Sequence, residues 1–280
     1  MVHDLMLAIT GTRGDAGALT AAISLATQMG AHLTLVQTIH LPVTMTEPWG
    51  MMGGSIVGEL HDELRAKGER EAAKLRQRLE REGISFEVRS IETHLQDPSR
   101  PVALHARYAD IAMVASPLQD NGDGVVAQDY FVSLLFESGR PVLVLPAQQT
   151  MLPLPQHVVL AWQPTREATR ALHDAMPLLR TAGTIDVVMV DPIPGESRHG
   201  EDPGVDIAAH LARHGFKVNV VALPANGQTT AAVLLRRAAE SGAQLVVAGG
   251  YGHSRLREWM LGGTTRELLN ASRIPMLFAH

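Results

Sequence analysis

GGYGHSRLREWMLGGTTRELL, residues 249–269, follows the apolar run LVVAG at 245–249 and precedes a second apolar run, Ile274 to Ala279. Four apolar residues closing on a glycine read as a buried strand, and Leu268 and Leu269 belong to a helical pattern. Strand, glycine turn, glycine pair, helix and strand is an order that brings bare backbone N–H groups up to an anion. Gly249 and Gly252 allow a tight turn and a close approach without a Cβ. Gly262 and Gly263 stand just before a helix start, where unpaired N–H groups and the positive end of the helix dipole favour phosphate.

Working outward, the chain repeats itself, and the repeat sets its architecture. Leu7 to Arg13 aligns with Leu160 to Arg166 at an offset of 153, and Leu7, Ala8, Thr12, Arg13, Ala18, Leu19 and Ala22 recur unchanged in the second copy. Ala109 to Val114 aligns with Ala243 to Ala248, and Pro141 to Val144 with Pro275 to Phe278, both at an offset of 134. The first copy predicts strands near 4–10, 31–39, 85–92, 110–116 and 141–146. The second predicts them near 157–162, 184–190, 216–222, 244–249 and 274–279. Helical patterns between them imply βαβ units in a mostly parallel α/β sheet, with ligands at the carboxyl ends of the strands. The polar, then Pro-rich stretch 147–156 reads as a linker, dividing the chain into domains 1–149 and 150–280. Extra length in the first copy falls at 40–58, where Pro42, Pro48, Gly50, Gly53 and Gly54 forbid a regular element. With Met45, Trp49, Met51 and Met52 it reads as the cover of an apolar edge or as a lid. A charged helix is expected from about 57 to 82, with a solvated face.

Composition narrows the function. The chain has 280 residues, 45% hydrophobic, and a formal net charge of −5, with no cysteine. That excludes disulfides, thiolate metal sites and a Cys nucleophile, and fits a reducing, cytoplasmic compartment. Acidic balance and few aromatics argue against a nucleic-acid partner, and no apolar run reaches the length of a membrane span.

The spacing Gly249, Gly252, Gly262, set between its strands, resembles the nucleotide-binding signature of the universal stress protein family, here as a tandem pair. The resemblance implies two doubly wound domains of strand order 3-2-1-4-5, packed as a pseudo-dimer through their last strands. It implies ATP or another adenine nucleotide between the first and fourth strands of the second domain, with Mg²⁺ as its companion. Gly249, Gly252, Gly262 and Gly263 would then line ribose and phosphates. His253, Arg255 and Arg266 would pair with phosphate, and backbone at Val190 would read the adenine edge. Two positions depart from the family pattern. Gly263 stands where Ser or Thr is usual, with Thr264 and Thr265 following, and Gln163 replaces the usual acidic residue. Trp162 beside it would stack on the base or occupy its place. Thr264 and Glu267 also have capping-box spacing.

In the first copy the gap-free equivalents of the motif glycines are Ala115, Leu118, Gln128 and Asp129. No glycine remains, and Asp129 would repel phosphate. Elsewhere, His210 and His214 have metal-like i, i+4 spacing but lack the Glu of H-E-x-x-H and a third ligand, so they read as surface histidines. No nucleophile elbow, Walker loop or acidic pair supplies a catalytic residue or metal centre. The expectation is a stress-response binding module acting through conformation or a protein partner. An ATP-hydrolysing enzyme of a related superfamily and a ligand-free interaction protein are the alternatives, and further self-association stays open.

Overall fold

Alternate residues of the central strands point into two separate cores. Leu5, Leu7, Leu33 and Leu35 share one with Val158, Leu160 and Val247. Met6, Ala8, Val36 and Val114 share the other with Val159, Val188 and Val246. Strands buried on both faces are what a parallel sheet covered by crossover helices demands. The computed structural model describes residues 2–42, 54–94, 97–117, 122–148, 152–195, 201–251 and 263–280, with side chains from 57 onward in the second stretch.

The first half runs β1 (Asp4–Ile9), α1 (Asp15–Met29), β2 (His32–His40), α2 (Gly54–Leu79), β3 (Phe86–Thr93), α3 (Ser99–Ala106), β4 (Ile111–Ala115), α4 (Asp123–Glu137) and β5 (Val142–Leu145). The second runs β6 (His157–Ala161), α5 (Arg166–Leu179), β7 (Thr184–Val190), α6 (Val205–Arg213), β8 (Val218–Leu223), α7 (Thr230–Ser241), β9 (Leu245–Gly249), α8 (Gly263–Ala271) and β10 (Met276–Ala279). Helices α1, α5 and α6 cover one face and α3, α4, α7 and α8 the other.

All ten strands form one sheet, in the order β3-β2-β1-β4-β5-β10-β9-β6-β7-β8. Each half therefore has the order 3-2-1-4-5, and the halves join through antiparallel β5 and β10. That pairing sets Leu143 opposite Leu277, with Val142 opposite Phe278 and Val144 opposite Met276. Leu143 and Leu277 are equivalents at the 134 offset, so the pseudo-twofold axis passes between them. Pairing these two edges removes a row of open backbone groups from each half. The same symmetry recurs around the axis. The Ser116 hydroxyl donates to the Leu269 carbonyl at 3.1 Å, and their equivalents, Gly250 and Leu135, also meet. A Cβ on Gly250 would lie 2.8 Å from a Leu135 methyl.

One expectation needs correction. The extra length of the first copy is not at 40–58: the segment 41–53 between β2 and α2 matches, to within one residue, the length of its counterpart 191–204 between β7 and α6, whereas α2 has 26 residues and α6 has 9. Gly54 is also no breaker, because it stands at the first residue of α2, where glycine is tolerated; of 41–53, residues 43–53 lie outside the described residues. The 147–156 linker packs against α1 where it is described. Gln28 donates to the Leu152 carbonyl at 2.6 Å and accepts from Leu154 N at 3.1 Å, and Leu152 is buried against α1.

The first helix of each half meets the fourth strand so closely that one partner must be glycine. A Cβ on Gly14, before α1, would lie 2.9 Å from the Ala115 methyl at the end of β4. In the second half the small residue has changed sides. Glu167 in α5 is the equivalent of Gly14, and Gly249 at the end of β9 is the equivalent of Ala115. Gly14→Ala is predicted to cost about 1–3 kcal/mol by overpacking. Ala115→Gly added to it should recover part of that loss, a coupling readable in a double-mutant cycle of urea unfolding. Strictly additive losses would show that the contact relaxes without cost.

Candidate functional site

Neighbouring strands β9, β6 and β7 end side by side, and the sequence-predicted residues sit at those ends. Trp162 and Gln163 follow β6, Val190 closes β7 and Gly249 closes β9. The register sets Ala161 beside both Ala248 and Val188, and Trp162 N donates to the Val188 carbonyl at 2.9 Å. Trp162 and Val190 are half-buried, and Gln163 is exposed. Gly263 is the first residue of α8, with Thr264 and Thr265 in its first turn. Gly252, His253, Arg255 and Gly262 lie outside the described residues.

Gly249 is not bare toward a ligand on every side. A Cβ there would lie 2.6 Å from Ala168 N and 2.8 Å from the Glu167 carbonyl carbon. Close packing of α5 on β9 thus already requires this glycine. What α5 delivers in return is a carboxylate. Glu167 is 7% exposed, and the nearest cation recorded for it is the Arg166 guanidinium at 3.8 Å. Glu167 stands four residues after Gln163, in the first turn of α5.

The α8 start differs from the capping-box expectation. Thr264 lies inside the first turn instead of before it, and the Glu267 carboxylate accepts from the Thr229 hydroxyl at 2.5 Å. Thr229 is itself the N-cap of α7, accepting from Ala232 N at 3.1 Å. Glu267 therefore ties α8 to α7. Thr265 is buried, and its hydroxyl accepts from Tyr251 N at 3.4 Å. Thr264 is exposed. Gly263 is exposed, and among the described residues nothing lies within 4 Å of a Cβ built on it.

Tyr251, which the glycine pattern hides, anchors the turn after β9. Its φ of +56° is the left-handed region, uncommon for a non-glycine residue. Its ring reaches into the first half, 5.2 Å from Phe136 and 6.4 Å from Phe131 by centroids. Burial raises its phenol above the usual range. The first half thus holds the entry to the motif in place. Pro117 is the first-half equivalent, so only the second half has this anchor.

At the equivalent strand ends of the first half, side chains take up the backbone donors. Asp15, at the start of α1, accepts from Gly11 N at 2.7 Å, Thr10 N at 3.2 Å and the Thr10 hydroxyl at 2.8 Å. Burial raises this carboxyl despite those bonds. The first residue of α4, Asp123, takes Arg13 N at 3.3 Å and Arg13 Nε at 3.1 Å, joining the loop after β1 to the helix after β4. The second half has Ala168 at the position of Asp15, so that internal anion is missing there. The gap-free alignment also places Asp129 two turns into α4, whereas its equivalent Gly263 begins α8.

Outside α5, an open depression of about 450 Å³ runs from Pro164 and Arg166 to Arg170 and His173. Arg170 is engaged there, donating to Asp174 at 2.7 Å and, across the halves, to the Gly139 carbonyl at 3.1 Å. Among the described residues no helix is long and apolar enough to cross a membrane.

Residues 155–280 match the model of the universal stress protein family. No curated protein matches the chain. The chain is similar over 98% of its length to a universal stress protein from Archaeoglobus fulgidus DSM 4304, covering 95% of that chain at 17% identity with a TM-score of 0.73. It is similar over 99% of its length to a functionally unknown protein from Pseudomonas aeruginosa PAO1, covering 92% of that chain at 14% identity with a TM-score of 0.58. At such identities the likeness is one of fold, and it spans both halves.

Proposed function

We propose, from the match of residues 155–280 to the universal stress protein family model and from the fold that the chain carries twice, that the protein binds one adenine nucleotide, in its second half. The observation that carries the reading is the asymmetry between the two crevices. In the first, Asp15 takes the backbone N–H groups after β1, and Asp123 ties the α4 start to Arg13. In the second, the aspartate is replaced by Ala168, and α8 starts at an exposed glycine.

The residues divide the ligand between them. The N–H groups of Gly263 and Thr264 and the positive end of α8 take phosphate. The Thr264 hydroxyl adds a donor, while Thr265 holds Tyr251 instead. Gly252, His253 and Gly262 complete the phosphate side in this reading. Trp162, Gln163 and Val190 border the base, and Glu167 accepts from ribose hydroxyls or, with ATP, faces the accompanying Mg²⁺. The first half acts as a scaffold, fixing the turn through Phe131 and Phe136. Occupancy would then bias the surface around α8 toward or away from a protein partner, as a ligand with differential affinity for two states must. A cytoplasmic stress-response role follows from this reading. Native mass spectrometry in excess ATP should show the chain carrying one nucleotide. A bare chain, or a chain with two, would overturn the proposal.

A further inference from the structure

His210 and His214 lie one turn apart on α6, and the fold brings in a third imidazole that the sequence separates from them by 37 residues. His173 of α5 has its ring centroid 5.5 Å from that of His210, which is 4.7 Å from that of His214. Two imidazoles bound to one tetrahedral zinc ion at a Zn–N distance of about 2.0–2.1 Å have ring centres roughly 5 Å apart. The two observed spacings bracket that value.

The nitrogens also have the right state. His173 Nδ1 is 2.8 Å from the Thr169 carbonyl oxygen. A carbonyl only accepts, so Nδ1 carries the proton and Nε2 keeps a bare lone pair, the arrangement second-shell carbonyls impose on zinc-bound histidine. His210 Nε2 is buried with no hydrogen-bond partner among the described residues. A buried polar atom left unsatisfied costs free energy that a metal bond would recover. His214 is exposed at the end of α6 and can turn its ring. Among the described residues no three donors already converge on one point, so this rotation completes the site. The other charges close by, Arg170 and Asp174 on α5, neutralise each other at 2.7 Å.

The geometry points to a transition-metal site on the outer face of the second half, with His173, His210 and His214 as ligands to Zn²⁺ and a fourth position for water. Three imidazole nitrogens suit Zn²⁺ and are poor ligands for Mg²⁺ or Ca²⁺. The ion would tie α6 to α5, the helix whose first turn presses on Gly249.

Calorimetric titration of the chelator-treated full chain with ZnCl₂, without nucleotide, should give one tight equivalent, and Co²⁺ should give the visible absorption of a tetrahedral site. His173→Ala, at an exposed position, should weaken Zn²⁺ at least tenfold, as should His210→Gln. His32→Ala should leave binding unchanged, its ring being engaged with Ser85 at 2.7 Å. Circular dichroism checks that the His210 variant is folded. Absence of a stoichiometric site, or Zn²⁺ affinity unaltered by His173→Ala, would overturn the inference.

Discussion

Arg237→Ala is expected to destabilise the protein by about 3–5 kcal/mol, because it strands a fully buried carboxylate. Asp186, in β7, is 0% exposed and takes Arg237 Nη2 at 2.6 Å and Arg237 Nε at 3.1 Å. Asn219 donates to its other oxygen at 3.0 Å, and His157 Nε2 lies 3.2 Å away. Burial pushes this carboxyl up, but the hydrogen bonds from Asn219 and Arg237, with His157 close by, outweigh it and leave it below its ordinary value of 3.8. A lowered folded-state pKa means the folded chain binds this proton less readily than the unfolded chain. The stabilisation is therefore complete above 3.8 and is lost as pH falls from there through the folded-state value. Replacing both partners by apolar residues, Asp186→Leu with Arg237→Met, should come much closer to the parent than Arg237→Ala does. Urea unfolding measures both. A loss under about 1 kcal/mol for Arg237→Ala would place the pair among solvated ion pairs instead.

Gly263→Asp should separate binding from folding. Among the described residues nothing lies within 4 Å of a Cβ at this position, and it is the first residue of α8. An aspartate there fits sterically, and a negative charge in the first turn stabilises a helix by roughly 0.3–1 kcal/mol. The same charge stands where the nucleotide's phosphate is expected. Affinity should fall by about tenfold or more, since 1.4 kcal/mol is one decade, while the melting midpoint stays level or rises. Asp129, the first-half equivalent, supplies the control, because Asp129→Gly should create no second site while Asp15 occupies that crevice. Unchanged nucleotide affinity in Gly263→Asp would remove phosphate from the start of α8.

Much of the fold is legible in the sequence because the repeat supplies every strand twice. Periodicity places each strand within two residues of its observed bounds, and the apolar terminal runs Val142 to Leu145 and Met276 to Ala279 foretell the β5–β10 joint. The site is less legible, for reasons of packing. Gly249 reads as a ligand glycine, yet the backbone of Glu167 and Ala168 already demands it. The signal was present in the alignment, where Gly14 and Ala115 exchange size with Glu167 and Gly249, but it needs the strand–helix contact to be understood. Thr264 and Glu267 have local capping spacing, and a tertiary partner, Thr229, takes the carboxylate instead. His173 stands 37 residues from His210, beyond the reach of any helical spacing. Tyr251 is silent in sequence because its role depends on the neighbouring half.

The most direct test of the account is calorimetric titration of the unmodified chain with ATP, ADP and AMP. One site per chain is predicted, abolished or weakened through Gly263 and insensitive to Asp129. Two equivalent sites would contradict the asymmetry between the crevices, and no heat or saturation with any of the three would contradict nucleotide binding itself.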